Sequence, residues 1–573
     1  MRSSGADGRG DEGIPPGLAE GIEEYALQTR RFLAGDIAAD AFKAMRVPRG
    51  VYEQRRDGTF MLRVRLPGGA MSGGQMRELG ALGLEFGNGL LHVTTRQDIQ
   101  LHDLSIRYTP AVMRRLMAAG LTSVGACGDT VRNVTACAYA GVCPAEIFDV
   151  TPCAQAAAAH LPSLAFSSRL PRKFKIAFSG CSADCALAGA ADLGFIAEAR
   201  GGAPGFRVMA GGGMGAHSRP ADPLLEWSPA ENILRTAEAV LRLFDRLGDR
   251  ENRRRARLRF VLERIGADAF RGLFAGEAEA VAPVGAPAWR RPLPLVGGAA
   301  GGAGGRGEAA PAPPPSAWLG GVRAAPQRQP GYVAVPLHPP LGLLTSADAA
   351  RLGALASRFS GEGGVRATIA QKLLLRFVKE EELPALAAGL AGLDTDLIAP
   401  GPIERFVACA GADTCRIGIC LSRDAARACA DALRKSGVRR GALDAMRFHI
   451  NGCPNSCGHE PLGPIGFRGV ARRVGGRAVQ AYLITLGGRC DAAGAAFGAP
   501  AGELPAAALP AFVSELAAGF EAGRAPGESF ADYYGRVGMP RFEAIISRHA
   551  AAARDGLPLG DGPPAGRKQG GEE

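Results

Sequence analysis

Eight of the thirteen cysteines fall into a pattern able to bind metal. Cys137, Cys143, Cys181 and Cys185 are spaced C-x5-C, a gap of 37 residues, then C-x3-C. Cys409, Cys415, Cys453 and Cys457 repeat that spacing at a constant offset of 272. A structural zinc site usually draws on C-x2-C knuckles in a small domain, which this is not. Disulfides are disfavoured in a reducing cytoplasm. Four thiolates from two separate loops suit a [4Fe–4S] cube, which needs four cysteines but no single spacing. Buried, unreactive cysteines are the remaining alternative. In GCPNSC, Pro454 predicts a short helix that would turn Cys453 and Cys457 to one face. Cys127, Cys153, Cys420, Cys429 and Cys490 lie outside the pattern and are expected to be structural.

A second group is cationic. The chain has seven lysines against sixty arginines, and two of the seven are Lys173 and Lys175. In a strand these project to one face while Phe174 points the other way. Two ammonium groups on one face repel unless an anion lies between them. Lysine in a desolvated site gives up a proton more readily than arginine. The pair therefore fits anion capture with proton delivery; a solvated strand edge is the plainer alternative.

The elements that position these groups are also written twice. RNVTACAYAGVC resembles ERFVACAGADTC, and FSGCSADC resembles HINGCPNSC. Upstream, the stretch from Phe60 and the stretch from Tyr332 each read strand, helix, strand. The expected domains are a half-module over 21–125, a cysteine-bearing domain over 126–290, a second half-module over 319–400 and a second such domain over 401–550. A Gly/Ala/Pro linker is expected over 291–318, and disordered tails over 1–20 and 551–573.

The net charge is +11, but no lysine/arginine run with interleaved aromatics suggests nucleic acid. RRRAR at 253–257 reads as a solvated helix face. The charge suits a small anion, an anionic cofactor or an acidic protein donor. No secretory signal and no run of 18 apolar residues is present, so no membrane partner and a cytoplasmic location are expected. GGGMG at 211–215 does not open a convincing dinucleotide-binding unit.

Five segments together resemble the sirohaem-dependent sulfite and nitrite reductases. They are GVYEQRRDGTFMLRVRLPGG (50–69), VTTRQDIQL (93–101), VRNVTAC (131–137), LPRKFK (170–175) and the cysteine pairs with GCPNSCG (409–458). The resemblance implies an α+β fold with a pseudo-two-fold internal repeat. Two ferredoxin-like half-modules would be joined by two sirohaem/[4Fe–4S] α+β domains. It implies a [4Fe–4S] cluster on Cys409, Cys415, Cys453 and Cys457, with Cys457 bridging to sirohaem. It implies anion-binding cations at Arg96, Arg132, Lys173 and Lys175. It also places a GGG segment in the sirohaem domain. Arg55, Arg56, Arg63 and Arg65 are candidates for the carboxylate rim of the sirohaem. The reaction implied is six-electron reduction of sulfite or nitrite, with RKFK resembling the sulfite type. Electrons would come from ferredoxin or a separate flavoprotein. The alternatives are a cluster-bearing electron-transfer subunit without sirohaem and a precorrin-3B-synthase-like enzyme.

The chain departs from the single-chain pattern in carrying the first cysteine set, a feature resembling the dissimilatory two-subunit enzymes. Aligned on the repeat, allowing a gap of a residue or two, Arg96 maps to Ala370, Arg132 to Glu404, Lys173 near Ala445 and Lys175 to Arg447. The mirrored site is thus expected to lose most of its positive charge and gain a carboxylate. A second cluster on Cys137, Cys143, Cys181 and Cys185 is expected to relay electrons or support the fold, beside one catalytic sirohaem and with or without a second, inactive tetrapyrrole.

Overall fold

Each half-module lends a strand to the other. In the computed structural model, which describes residues 17–281, 317–474, 477–492 and 494–556, strand Ala70–Ser72 leaves the first half and pairs antiparallel with Gly364–Ala367. Leu343–Thr345 makes the reciprocal crossing and pairs with Leu90–Val93. The first sheet runs Val51–Glu53, Thr59–Val64, Ile99–Ser105, Leu90–Val93, Leu343–Thr345. The second runs Ala317–Leu319, Val322–Pro326, Tyr332–Leu337, Leu373–Lys379, Gly364–Ala367, Ala70–Ser72. One apolar core spans both, from Leu18 and Leu62 to Leu337 and Leu375.

After each exchanged strand comes a helix, Gly73–Phe86 or Ser346–Phe359. Ser72 and Gln75 close a capping box on the first helix, and Thr345 Oγ1 accepts from Asp348 N at 3.0 Å on the second. The two helices pack at glycine. A Cβ on Gly353 would lie 2.5 Å from the Gly73 carbonyl oxygen, and one on Gly80 2.6 Å from that of Ser346.

Two buried glutamines lock the halves together. Gln97 donates to the carbonyls of Ala136 (2.9 Å) and Ala367 (2.8 Å) and accepts from Ala136 N (2.9 Å). Gln371 donates to the Val93 carbonyl (3.3 Å) and accepts from Ala408 N (2.8 Å). Both have left-handed backbones, with φ 58° and 59°, a strained conformation for a residue with a Cβ. Each one ties the start of its own cysteine loop to the opposite half-module.

The two larger domains carry matching five-stranded sheets. Thr135–Ala136, Ile176–Ser179 and Leu193–Arg200 are parallel in one, and Phe406–Ala408, Phe448–Asn451 and Ile465–Val474 in the other. Each then continues antiparallel. The cysteines follow the carboxyl ends of the first two parallel strands, where ligands of open sheets bind. Each domain has its own core, around Phe178 and Phe206 in one and Phe448 and Phe512 in the other.

Some expectations are corrected. No helix follows Cys453: residues 453–458 form turns, with Ser456 at φ 53°, and Asp184 at φ 48° repeats this in the first loop. The first helix begins at Leu18 and the last ends at Gly556, so both intrude on the expected tails. Most of the expected linker lies outside the described residues.

Replacing Gln97 or Gln371 by leucine leaves buried backbone groups unpaired, at about 1–3 kcal/mol for each. Chemical denaturation should show each variant destabilised by about 3 kcal/mol or more; a loss under about 1 kcal/mol would mean these amides do not join the halves.

Candidate active site at the junction of the halves

Lys173 and Lys175 lie in extended chain leading into Ile176–Ser179. Phe174 between them is fully buried and 5.7 Å from the Phe244 ring. Its amide and carbonyl are held by Thr130 O (3.0 Å) and Arg132 N (2.9 Å). Both lysines are therefore turned to the opposite face, half-buried. Arg96 projects from the TTRQ turn, whose backbone is fixed by Thr94 Oγ1 to Arg96 N (3.2 Å) and by Asn133 Nδ2 to Arg96 O (3.0 Å). Arg132 is buried with its guanidinium hooked on the Ala126 and Gly128 carbonyls at 2.7–3.0 Å. It adds charge to the site without reaching into it.

Arg257 joins the group, paired in two bonds with buried Asp192 at 3.0 and 2.7 Å. Asp192 also accepts from Lys175 N at 2.9 Å. Arg259 has its Nε and Nη1 buried without partners, as does Arg65 with Nε and Nη2. The GGGMG loop passes close by: a Cβ on Gly213 would lie 2.7 Å from Arg259 Nη1 and 2.9 Å from Arg257 Nη2. So the arginine run read as a solvated face divides. Arg253 to Arg255 are exposed, while Arg257 and Arg259 turn inward.

Crowded burial of like charges sets the titration here. Desolvation, then Arg132, Arg172 and Arg257, pulls Lys173 down to about 7. Lys175 falls well below the usual lysine range, through burial, Arg96 and Arg257. Arg96 drops to about 10, mainly by burial. Asp98 is pushed up to about 6 by burial, despite Arg63, Arg96, Arg65 and Arg132.

The second half closes this surface. Thr95 Oγ1 donates to the Cys457 carbonyl at 2.6 Å, across the junction. Cys457 is exposed, the other three thiols of its set less so. A thiolate there would favour the charged forms of Lys173 and Arg63. Cys453 in turn interacts with Cys457, Cys409 and Cys415, and its thiol is raised by burial. Gly452 N donates to Cys409 Sγ at 3.1 Å. Two residues past Cys457, buried His459 is held neutral by burial and by Lys175 and Arg96. It lines a recess with Thr95, Arg96, Met214 and Ile369.

The four rim candidates separate. Arg63 faces Asp98 at 3.9 Å and Arg65 lies buried beside it. Arg56 is a surface residue, its side chain 71% exposed near Asp103. Arg55 instead braces the cluster loop: its backbone N donates to Thr414 O (2.9 Å) and its guanidinium to the Cys415 and Gly418 carbonyls.

The mirrored surface retains cations, contrary to expectation, but spends them internally. Buried Glu404 is bound by Arg323 (3.0 Å), Arg440 (2.7 Å) and Arg405, and Lys372 Nζ donates to its carbonyl at 2.7 Å.

The first half thus supplies a partly uncompensated cation surface, and the second a set of four cysteines on two adjoining loops. Among the described residues no group of three or more His, Cys, Asp or Glu is spaced for a single ion. Orphaned Arg65 and Arg259 and the glycine loop beside Arg257 fit the carboxylates of a sirohaem. Thr95, Asp192, Arg257, Arg259 and His459 were not singled out from sequence. Only His459 carried a local signal, its closeness to Cys457.

Lys173→Met should stabilise the cofactor-free protein, by removing a desolvated charge and its repulsion from Arg132, Arg172 and Arg257. The folded pKa lies below the unfolded one, so the penalty removed is full below about pH 7 and fades toward about 10.5. Thermal denaturation across that range should show the gain shrinking with rising pH; a gain that grows would contradict the assignment.

Comparison with known proteins agrees with this geometry. A model for the nitrite and sulphite reductase 4Fe-4S domain matches residues 127–280, and one for the nitrite/sulfite reductase ferredoxin-like half domain matches 52–119 and 325–393. The ferredoxin–nitrite reductase of Synechococcus elongatus is 33% identical over 75% of this chain and 80% of its own. Sulfite reductase [ferredoxin] 1 of Mycolicibacterium paratuberculosis is 30% identical over 75% and 73%. The Mycobacterium tuberculosis NirA structure superposes with a TM-score of 0.76 at 26% identity, over 93% of this chain and 98% of that one. The chain belongs to the nitrite and sulphite reductase family.

Proposed function

We propose that the chain reduces nitrite to ammonia or sulfite to sulfide, six electrons per turnover, at a sirohaem joined through Cys457 to a [4Fe–4S] cluster on Cys409, Cys415 and Cys453. The observation that carries this reading is the bond from Thr95, next to Arg96 in the cation turn, to the Cys457 carbonyl across the junction. Bound sirohaem and cluster supply single-electron storage beside the substrate.

The chain's own residues do the rest. Arg96 and Lys175 present charge to the anion, and Lys173 completes that surface. As oxygens leave as water, these cations stabilise the developing charge, at sites organised beforehand by Asn133, Asp192 and Phe174. Lys173, at about 7, is poised to hold a proton and release it near neutral pH. Burial sets that value first, and Arg132, Arg172 and Arg257 lower it further. Arg63, Arg65 and Arg259 are placed to receive carboxylates of the macrocycle.

Relatives named for ferredoxin as donor, together with the net charge of +11, support an acidic one-electron carrier. No helix among the described residues is long and apolar enough to cross a membrane. Thirteen cysteines, eight of them in a cluster-binding pattern, favour a reducing compartment, and we place the protein in the cytoplasm. The retained cation surface argues against a subunit that only relays electrons, and against a tetrapyrrole-modifying enzyme.

An anaerobic reduced-viologen assay, run with nitrite and sulfite in parallel, tests this. Arg96→Gln should raise KM about tenfold to a hundredfold, the worth of a charged hydrogen bond. Lys173→Arg should keep KM within a few fold and cut kcat, because arginine holds its proton; Lys173→Met should worsen both. Equal loss in all three would reject separate roles, and no activity with either anion would reject the function.

A further inference from the structure

The first cysteine set has no task in the reaction above, yet its cradle duplicates the second at the level of single hydrogen bonds. Cys137 N donates to Phe178 O at 3.0 Å, and Cys409 N to Ile450 O at 3.2 Å. Ile147 N donates to Gly180 O and Ile419 N to Gly452 O, both at 2.8 Å. Leu187 N donates to Asp184 O at 2.9 Å, and His459 N to Ser456 O at 3.1 Å. Every one of these pairs is separated by the same 272 residues as the cysteines. The left-handed backbones recur too, at Asp184 (φ 48°) and Ser456 (53°), and at Leu187 (57°) and His459 (61°).

The brace on each loop is also repeated. Arg328 N donates to Val142 O as Arg55 N donates to Thr414 O, both at 2.9 Å. Arg328 Nε and Gln329 Nε2 then hold the Gly141 carbonyl at 3.1 and 2.8 Å, and Arg376 holds Ala138 and Ala140. In each case an arginine from the opposite half clamps the loop. Nothing about packing inert cysteines calls for this. The four thiols carry no cross-link and all sit on these two cradled loops, Cys137, Cys143 and Cys181 buried and Cys185 half-buried.

What is not duplicated is the anion surface. Where the first half has Arg132, the second has Glu404, bonded to Arg323, Arg405 and Arg440. Where it has Arg96 and Lys173, the second has Ala370 and Ala445. Arg323, Arg405 and Arg440 of the mirrored face are spent on that carboxylate, and Lys372 and Arg447 on backbone carbonyls, leaving little to hold a carboxylate-rich macrocycle.

We infer that Cys137, Cys143, Cys181 and Cys185 hold a second [4Fe–4S] cluster, an additional one-electron store, with no second tetrapyrrole beside it. The inference rests on the proposed function for its first cluster. Acid-labile sulfide, iron and extractable tetrapyrrole in the anaerobically purified, reconstituted full chain test it. Two clusters and one tetrapyrrole give about eight sulfides and about nine irons. About four sulfides with one tetrapyrrole would overturn the second cluster and leave the function standing; no sulfide and no tetrapyrrole would overturn both. Two tetrapyrroles per chain would overturn the closed mirror site. Cys143→Ser combined with Cys181→Ser should halve the sulfide and keep the haem absorption band. If that variant does not fold, the count on the native chain still decides.

Discussion

The exchange of strands between half-modules, locked by Gln97 and Gln371, is the constraint from which the site follows. Each amide holds the start of one cysteine loop and the edge of the opposite half-module at once. The cation turn TTRQ immediately precedes Gln97, and the Cys409 loop immediately follows Ala408, which bonds Gln371. Fixing the two glutamines therefore fixes Arg96 and Thr95 relative to Cys409 and Cys457. The approach is close enough that Gly69 and Gly342, both at φ 75°, face carbonyls of the other half at 2.3 and 2.5 Å from where a Cβ would stand.

That geometry carries a cost in charge. Asp98 and Asp192 offset only part of the positive charge of Arg63, Arg65, Arg96, Arg132, Arg257, Lys173 and Lys175. Like charges removed from water destabilise a fold unless a counter-ion enters. An anionic cofactor and an anionic substrate are such counter-ions, so binding and folding are linked. The mirrored half resolves the same problem internally, with Glu404. One duplicated scaffold thus holds two electrostatic outcomes, one open to an anion and one closed.

Much of this was legible in the sequence because gene-level repetition preserves spacing. The 272-residue offset exposed both cysteine sets and the strand–helix–strand modules, and the alternation around Phe174 placed the lysines on one face. The misses have physical causes. Pro454 signalled a helix, but Ser456 adopts a left-handed backbone and breaks it. Arg257 sits four residues after the exposed Arg253, and only the fold turns it onto Asp192. Thr95 acts through a bond to a residue 362 positions away, which local pattern cannot show. The mirrored site kept its charge because Arg323, Arg405 and Arg440 come from positions with no counterpart among the anion-binding residues.

The central claim is that cations of the first half and Cys457 of the second surround one iron tetrapyrrole and one anion. Optical titration of the anaerobically purified, reduced protein with nitrite and with sulfite reads this directly. The account predicts a sharp haem absorption band that shifts on anion addition in the native chain, with half-saturation moved to higher anion concentration in Lys175→Met. Absence of the band, or a shift indifferent to that substitution, would contradict it.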